Sequence, residues 1–238
     1  MTFDQAEYDI RCEWGLQGVQ RLAPISDAII IVDVLSFTTC VDIATARGVT
    51  VWAFPWRDRT DTSFAQEKGA QLARPRASSG LSLSPASMLG LQPGSGLVLP
   101  SPNGSTLSLA TDKTPTFAGC LRNVSSVARA ALAIGPRVAV IPSGELWPDG
   151  SLRPCLEDWL GAGAILAHVD GNCSAEARAA VAAYQPVAGD LLSVLLACGS
   201  GKELVQEGFA RDVELASELM VSRSVPRLVN GAYISVSV

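Results

Sequence analysis

Short runs of aliphatic, mostly β-branched residues recur between Ala-rich stretches, and this alternation constrains the fold more than any other feature of the chain. Ala28–Val32 is a continuous apolar run of the kind buried on both faces of a sheet. Residues 38–47 read as the helix that follows it, and 49–54 as a second strand ended by Pro55. Residues 60–72 have helical character. A Ser-, Pro- and Gly-rich segment over 74–96 reads as the longest loop, and loops of that length in compact domains usually serve a site. Further strands are expected at 97–99, 137–141, 225–229 and 233–238, and helices at 125–134, 156–168 and 175–184, with shorter helical pieces at 204–205 and 212–220. The order predicts an α/β fold, with layered helices around a mostly parallel or mixed β-sheet. It is read as one domain over 1–238, or as two closely packed lobes with a boundary near 110–135.

Composition narrows the function classes. The chain has 238 residues, 48% of them hydrophobic, with 18 Lys and Arg against 23 Asp and Glu, for a net charge of −5. Nucleic acid is a poor partner for such a chain, because phosphate neutralisation requires clustered basic residues. The longest apolar runs fall far short of the roughly 20 residues that span a bilayer, so no membrane partner is expected. The polar N-terminus does not resemble a signal peptide. Six cysteines contain no C-x-x-C pair, which argues against a zinc ribbon and for reduced thiols in a cytoplasmic setting. His168 is the only histidine, so multi-histidine metal sites are excluded. At the end of an apolar helix it reads as a cap or core residue rather than a base.

Three strand-like runs end in small or polar residues: Asp33, Asn103-Gly104-Ser105 and Ser143-Gly144-Glu145. Ligands of open α/β sheets bind outside the carboxyl ends of the strands, so these three loops are expected to share one site. Asp33 is either a helix N-cap or a cation ligand, with Thr38 and Thr39 placed to cap the next helix or to bind an anion. Asn103, Gly104 and Ser105 form either a plain turn or an anion nest. Glu157 and Asp158 open a helix, where acidic residues suit the macrodipole, but paired carboxylates also suit Mg²⁺. Arg153 stands four residues earlier and is able to grip a phosphate or sulfonate bidentately. Ser200-Gly201-Lys202-Glu203 fails the G-x-x-x-x-G-K-[ST] pattern, which leaves Lys202 as a cation near a helix start that can reach an anion.

Together these segments resemble the 2-phosphosulfolactate phosphatase family, in order, from about residue 27 to 229. Ile31-Val32-Asp33-Val34-Leu35 with Thr38-Thr39 resembles its V-D-V-L-R-A-T-T signature, and Pro102-Asn103-Gly104-Ser105 its T-N-G-T turn. Gly119-Cys120-Leu121-Arg122-Asn123 is similar to G-S-F-x-N, which adds Asn123 to the substrate-binding candidates. Arg153-Pro154-Cys155-Leu156-Glu157-Asp158 resembles R-x-S-L-E-D, the most specific match. Residues 200–213 are similar to the closing G-R-x-L-x-x-x-G-F-x-x-D-V segment. The resemblance implies Mg²⁺-dependent hydrolysis of a small anionic phosphate monoester, 2-phosphosulfolactate or a related compound. It gives Asp33, Arg153, Glu157 and Asp158 catalytic roles, with Asp33, Glu157 and Asp158 as metal ligands. A homodimer is compatible with the fold, although no interface signature is visible. The chain departs from the pattern at Ser36 and Thr106, which stand where the family has arginines, and at Phe37 in place of alanine. The family's G-E-R element leaves only an arginine in Arg74-Pro75-Arg76, and its G-N-S-P element is reduced to Leu83-Ser84-Pro85. Those losses make a non-catalytic relative, binding an anionic metabolite or a partner in the same cleft, the alternative reading.

Overall fold

The computed structural model describes residues 3–55, 60–76 and 80–237. Its strands are β1 (Ile10–Cys12), β2 (Ala28–Val32), β3 (Thr50–Pro55), β4 (Gln71–Leu72), β5 (Gly96–Ser101), β6 (Thr116–Gly119), β7 (Val138–Pro142), β8 (Glu145–Leu146), β9 (Leu152–Arg153), β10 (Pro226–Val229) and β11 (Ala232–Ser235). Among the described residues, nine of them form one sheet in the order β1-β7-β2-β6-β10-β11-β3-β5-β4, while β8 and β9 pair separately. The expected α/β architecture is therefore present, and its sheet is mixed.

Two parallel blocks make up that sheet. One is β1-β7-β2-β6 and the other β3-β5-β4, and the C-terminal hairpin β10–β11 joins them through antiparallel pairings on both sides. Three successive antiparallel steps reverse direction, so the second block runs opposite to the first. Five strand-to-strand steps separate β2 from β5. At roughly 20–25° each, they accumulate a twist on the order of 100–125° that largely undoes the reversal and lets the loop after β5 approach the loop after β2.

Period-2 alternation along β2 divides the core. Ile30 and Val32 pack with Val138, Val140, Leu160 and Ile165 beneath the helices Val124–Leu132, Leu156–Leu166 and Ala175–Tyr184. Ile29 and Ile31 face the other way, against Val19, Leu22, Leu107 and Ile141. Burying each such side chain contributes roughly 1.5–3 kcal/mol, which is why β2 shows no polar alternation. The helix Phe37–Ala46 covers the second block, with Phe37, Val41 and Ala44 against Val51, Leu97 and Tyr233.

Several expected elements need correction. The helix expected over 60–72 stops at Lys68, because Gly69 adopts φ +60 and turns the chain into β4. Within the 74–96 loop, Pro85 starts the short helix Pro85–Met88; residues 77–79 of that loop, and Val238 of the last expected strand, lie outside the described residues. The expected pieces at 204–205 and 212–220 belong to the helices Gly199–Gln206 and Ala210–Ser217. All six cysteines are free, and five are buried. His168 caps its helix by pairing Nδ1 with the Ala164 carbonyl at 3.0 Å. No single helix among the described residues is long and apolar enough to cross a membrane.

Candidate active site

Two buried aspartates tie the strand-end loops together. Asp33, directly after β2, accepts the Phe37 N–H on Oδ1 at 3.1 Å and the Gly104 N–H on Oδ2 at 2.9 Å. Asp158, in the first turn of the helix Leu156–Leu166, accepts the Val34 N–H on Oδ1 at 2.7 Å and the Gly144 N–H on Oδ2 at 2.8 Å. The loops after β2, β5 and β7 thus converge, as the strand ends suggested. Close approach demands glycine at two of these positions. A Cβ on Gly104 would meet the Phe37 ring at 2.2 Å and Asp33 Oδ2 at 2.8 Å, while Gly144 adopts φ +66 with the Arg153 carbonyl 2.8 Å from the same point.

These loops enclose a cavity of about 210 Å³. Asp33, Glu157 and Asp158 line it together with Glu145, Glu203 and Glu207, opposed by Arg76 and Arg153. Burial pushes Asp33 up to about 6, with the Glu145 and Glu157 charges adding to the rise and the Phe37 and Gly104 amides opposing it. Burial likewise pushes Asp158 well above the usual carboxylate range, reinforced by Asp33 and Glu157. Among the described residues, no Lys or Arg stands within ion-pair distance of Asp33, Glu157 or Asp158. Glu157 takes a contact from the Cys198 thiol at 3.4 Å.

Both cavity arginines are held from behind. Arg153 Nη2 donates to Ser200 Oγ at 3.2 Å, and its guanidinium stacks over Trp147. Arg76 Nη2 donates to Ser36 Oγ at 2.7 Å and lies over the Phe209 ring, with Asp212 3.8 Å from its Nε. Asp212 is buried and also accepts Ser84 Oγ at 2.6 Å and the Ala86 N–H at 3.0 Å, so it fixes the segment that follows Arg76 as well. A guanidinium from the 74–76 segment therefore reaches the position 36 side chain, where the family pattern carries its own arginine.

The other candidates fall into two groups. Asn103 lines the cavity, where its Nδ2 donates to Glu145 Oε1 at 2.9 Å. Gly104 contributes its N–H to Asp33, not to the cavity, because it begins the helix Gly104–Leu109 in place of the expected turn. Thr38 and Thr39 are fully buried and spend their hydroxyl protons on the carbonyls of Asp33 and Val34, at 2.8 and 2.7 Å. Ser105 spends its own on the Leu99 carbonyl at 3.0 Å. Asn123 is a capping residue: its Oδ1 accepts the Cys120 N–H at 2.9 Å, and its Nδ2 donates to the Ala118 carbonyl at 3.2 Å. Lys202 is exposed and does not line the cavity; helical spacing turns Ser200, Glu203, Leu204 and Glu207 there instead. Arg76 and Asp212 were the site residues least visible in sequence, since only the sparse R-P-R remnant and the closing G-F-x-x-D-V match hinted at them.

The cavity carboxylates are oxygen donors, the ligand type that Mg²⁺ takes. Among the described residues, no group of three or more Asp, Glu, His or Cys side chains is placed to hold a metal ion by itself. Mg²⁺ does not require such a group, because it usually keeps waters and binds through one or two carboxylates plus substrate phosphate. Six carboxylates facing two guanidiniums also make the cavity hostile to a phosphate dianion unless a cation offsets them.

The family model for 2-phosphosulpholactate phosphatase matches residues 19–231. The chain is 33% identical over 130 residues to the 2-phosphosulfolactate phosphatase of Methanothermobacter thermautotrophicus, covering 55% of this chain and 54% of that one. It is 30% identical over 209 residues to a probable 2-phosphosulfolactate phosphatase of Carboxydothermus hydrogenoformans, covering 84% of this chain and 85% of that one. The match thus spans about half the length of the first relative and most of the second.

Proposed function

The chain belongs to the 2-phosphosulpholactate phosphatase family, and from that premise we propose that it is a Mg²⁺-dependent phosphatase acting on a small anionic phosphate monoester, 2-phosphosulfolactate or a related compound. The observation that carries this reading is the joining of Asp33, Glu157 and Asp158 with Arg76 and Arg153 around one cavity. Asp33, Glu157 and Asp158 would hold Mg²⁺, which when bound supplies Lewis-acid stabilisation of charge on a phosphoryl group. Arg153 and Arg76 present guanidinium donors to the phosphoryl oxygens, and Asn103 adds an amide at the rim. The backbone ties from Asp33 and Asp158 hold the loops in place before substrate arrives, so little reorganisation opposes the reaction. Arg76, the arginine left of the G-E-R element, is held against Ser36 and so brings its guanidinium to the side of the cavity where the family pattern has a further arginine.

Phosphate release from a panel of small phosphomonoesters, measured with Mg²⁺ and after EDTA treatment, tests the proposal. The expected result is Mg²⁺-dependent release that EDTA abolishes and added Mg²⁺ restores. Binding of the same esters without any phosphate release would establish the non-catalytic alternative.

A further inference from the structure

A second cavity, of about 340 Å³, adjoins the acidic one. Asn103 lines both, and the consecutive residues Glu145 and Leu146 line one each. Its character is opposite: Trp14, Leu107, Leu146 and Leu152 supply apolar walls, and among the described residues no charged side chain lines it. Trp14 is held by stacking on Trp159, with centroids 5.3 Å apart. Thr106, where the family pattern has an arginine, lies on this wall and is exposed. Ser143 also lines the cavity. It is 3% exposed, and its Oγ has no hydrogen-bond partner. A buried hydroxyl is seldom left unpaired in a native fold, so an orphan on a residue that lines a cavity marks a place for a ligand group.

We propose that this cavity is a subsite for an apolar arm on the alcohol half of the ester, an arm bearing a hydrogen-bonding group that meets Ser143. The inference rests on the phosphatase reading for the position of the phosphate. It assigns the substrate class: a phosphomonoester whose alcohol carries an aromatic or branched aliphatic substituent in place of a second strong anion. Leu146 and Leu152 are 51% and 37% exposed, so the walls present apolar surface ready to be covered.

Comparison of 2-phospholactate with 2-phospho-3-phenyllactate tests this, since the two share one reacting group and differ in the arm. With Mg²⁺, kcat/KM for the phenyl ester should be roughly 10- to 100-fold higher. Leu152→Asn should bring that ratio towards one. Ser143→Ala should erase any added preference for the 4-hydroxyphenyl analogue over the phenyl ester. Equal turnover of both esters by the wild type would overturn the subsite and leave the phosphatase reading intact. If neither ester is hydrolysed, calorimetry separates the two claims. Tighter binding of the phenyl ester by the same ratio would keep the subsite and reject the phosphatase, whereas equal or absent binding would reject the subsite. Sedimentation showing a dimer that Leu152→Asn dissociates, with equal turnover of both esters, would assign the groove to a second copy of the chain and overturn the proposal.

Discussion

The two aspartates of the cleft share a second duty as ties between loops, and that duty sets what their replacement does. Asp33 and Asp158 hold four backbone amides between them, so their loss loosens three loops as well as removing charge. Arg153 has no comparable framework role, which makes it the cleaner probe of anion binding. Arg153→Ala should lower kcat/KM roughly 10- to 100-fold, the loss of one charge-assisted contact, with the urea midpoint unchanged. Gly104→Ala is the converse case. Its methyl group must displace the Phe37 ring and Asp33, so it should cost about 1–3 kcal/mol in urea denaturation and reduce phosphate release as well. The meeting of Asp33, Arg153, Glu157 and Asp158 at one cavity was legible because an acid ends a buried apolar run at a strand's carboxyl end and the R-x-S-L-E-D resemblance singles out the other three. Thr38, Thr39, Ser105 and Asn123 were misleading for a physical reason. A hydroxyl or amide near a loop looks the same whether its partner is a ligand or the backbone, and only the tertiary arrangement decides.

Among the elements, buried strands and Ala-rich helices were the most legible. Ala28–Val32, Val138–Pro142 and Ala175–Tyr184 all follow their hydrophobic patterns. The strands Ile10–Cys12 and Thr116–Gly119 were not expected, since three or four residues with polar members carry no period. Direction reversal across the C-terminal hairpin was equally hidden, because sequence does not show which strands a hairpin will separate. One helix also carries a pH-sensitive tie. Asp42, in Phe37–Ala46, accepts Ser222 Oγ at 2.7 Å and Arg122 Nε at 3.1 Å, while Arg122 also pairs with Glu218. Burial outweighs the Arg122 and Ser222 contacts and pushes Asp42 from 3.8 to about 6. The folded state therefore binds this proton more tightly than the unfolded chain does. The associated stability is complete below pH 3.8 and disappears as pH rises through 6, a change of about 3 kcal/mol. Urea midpoints measured from pH 4 to 7 should show this slope in the wild type and a shallower one in Asp42→Asn; identical slopes would contradict it.

For the molecule as a whole, the net charge of −5 means that the proposed anionic substrate would be bound against the average field, by local donors and the proposed cation. If the proposed Mg²⁺ binds the folded state alone, it also stabilises the fold. Mg²⁺ at a hundredfold excess over its Kd should raise unfolding free energy by about 2.7 kcal/mol, read as a higher melting temperature that EDTA reverses. Much of this architecture was readable from the order of motifs, and the joining of oppositely directed blocks around one cleft was not. The central proposal is that Asp33, Glu157 and Asp158 would hold a divalent metal together with substrate and water. Crystals soaked in Mn²⁺ and measured for anomalous scattering test it most directly. A peak between these three carboxylates is the predicted result; ordered loops with no anomalous density there would contradict the assignment.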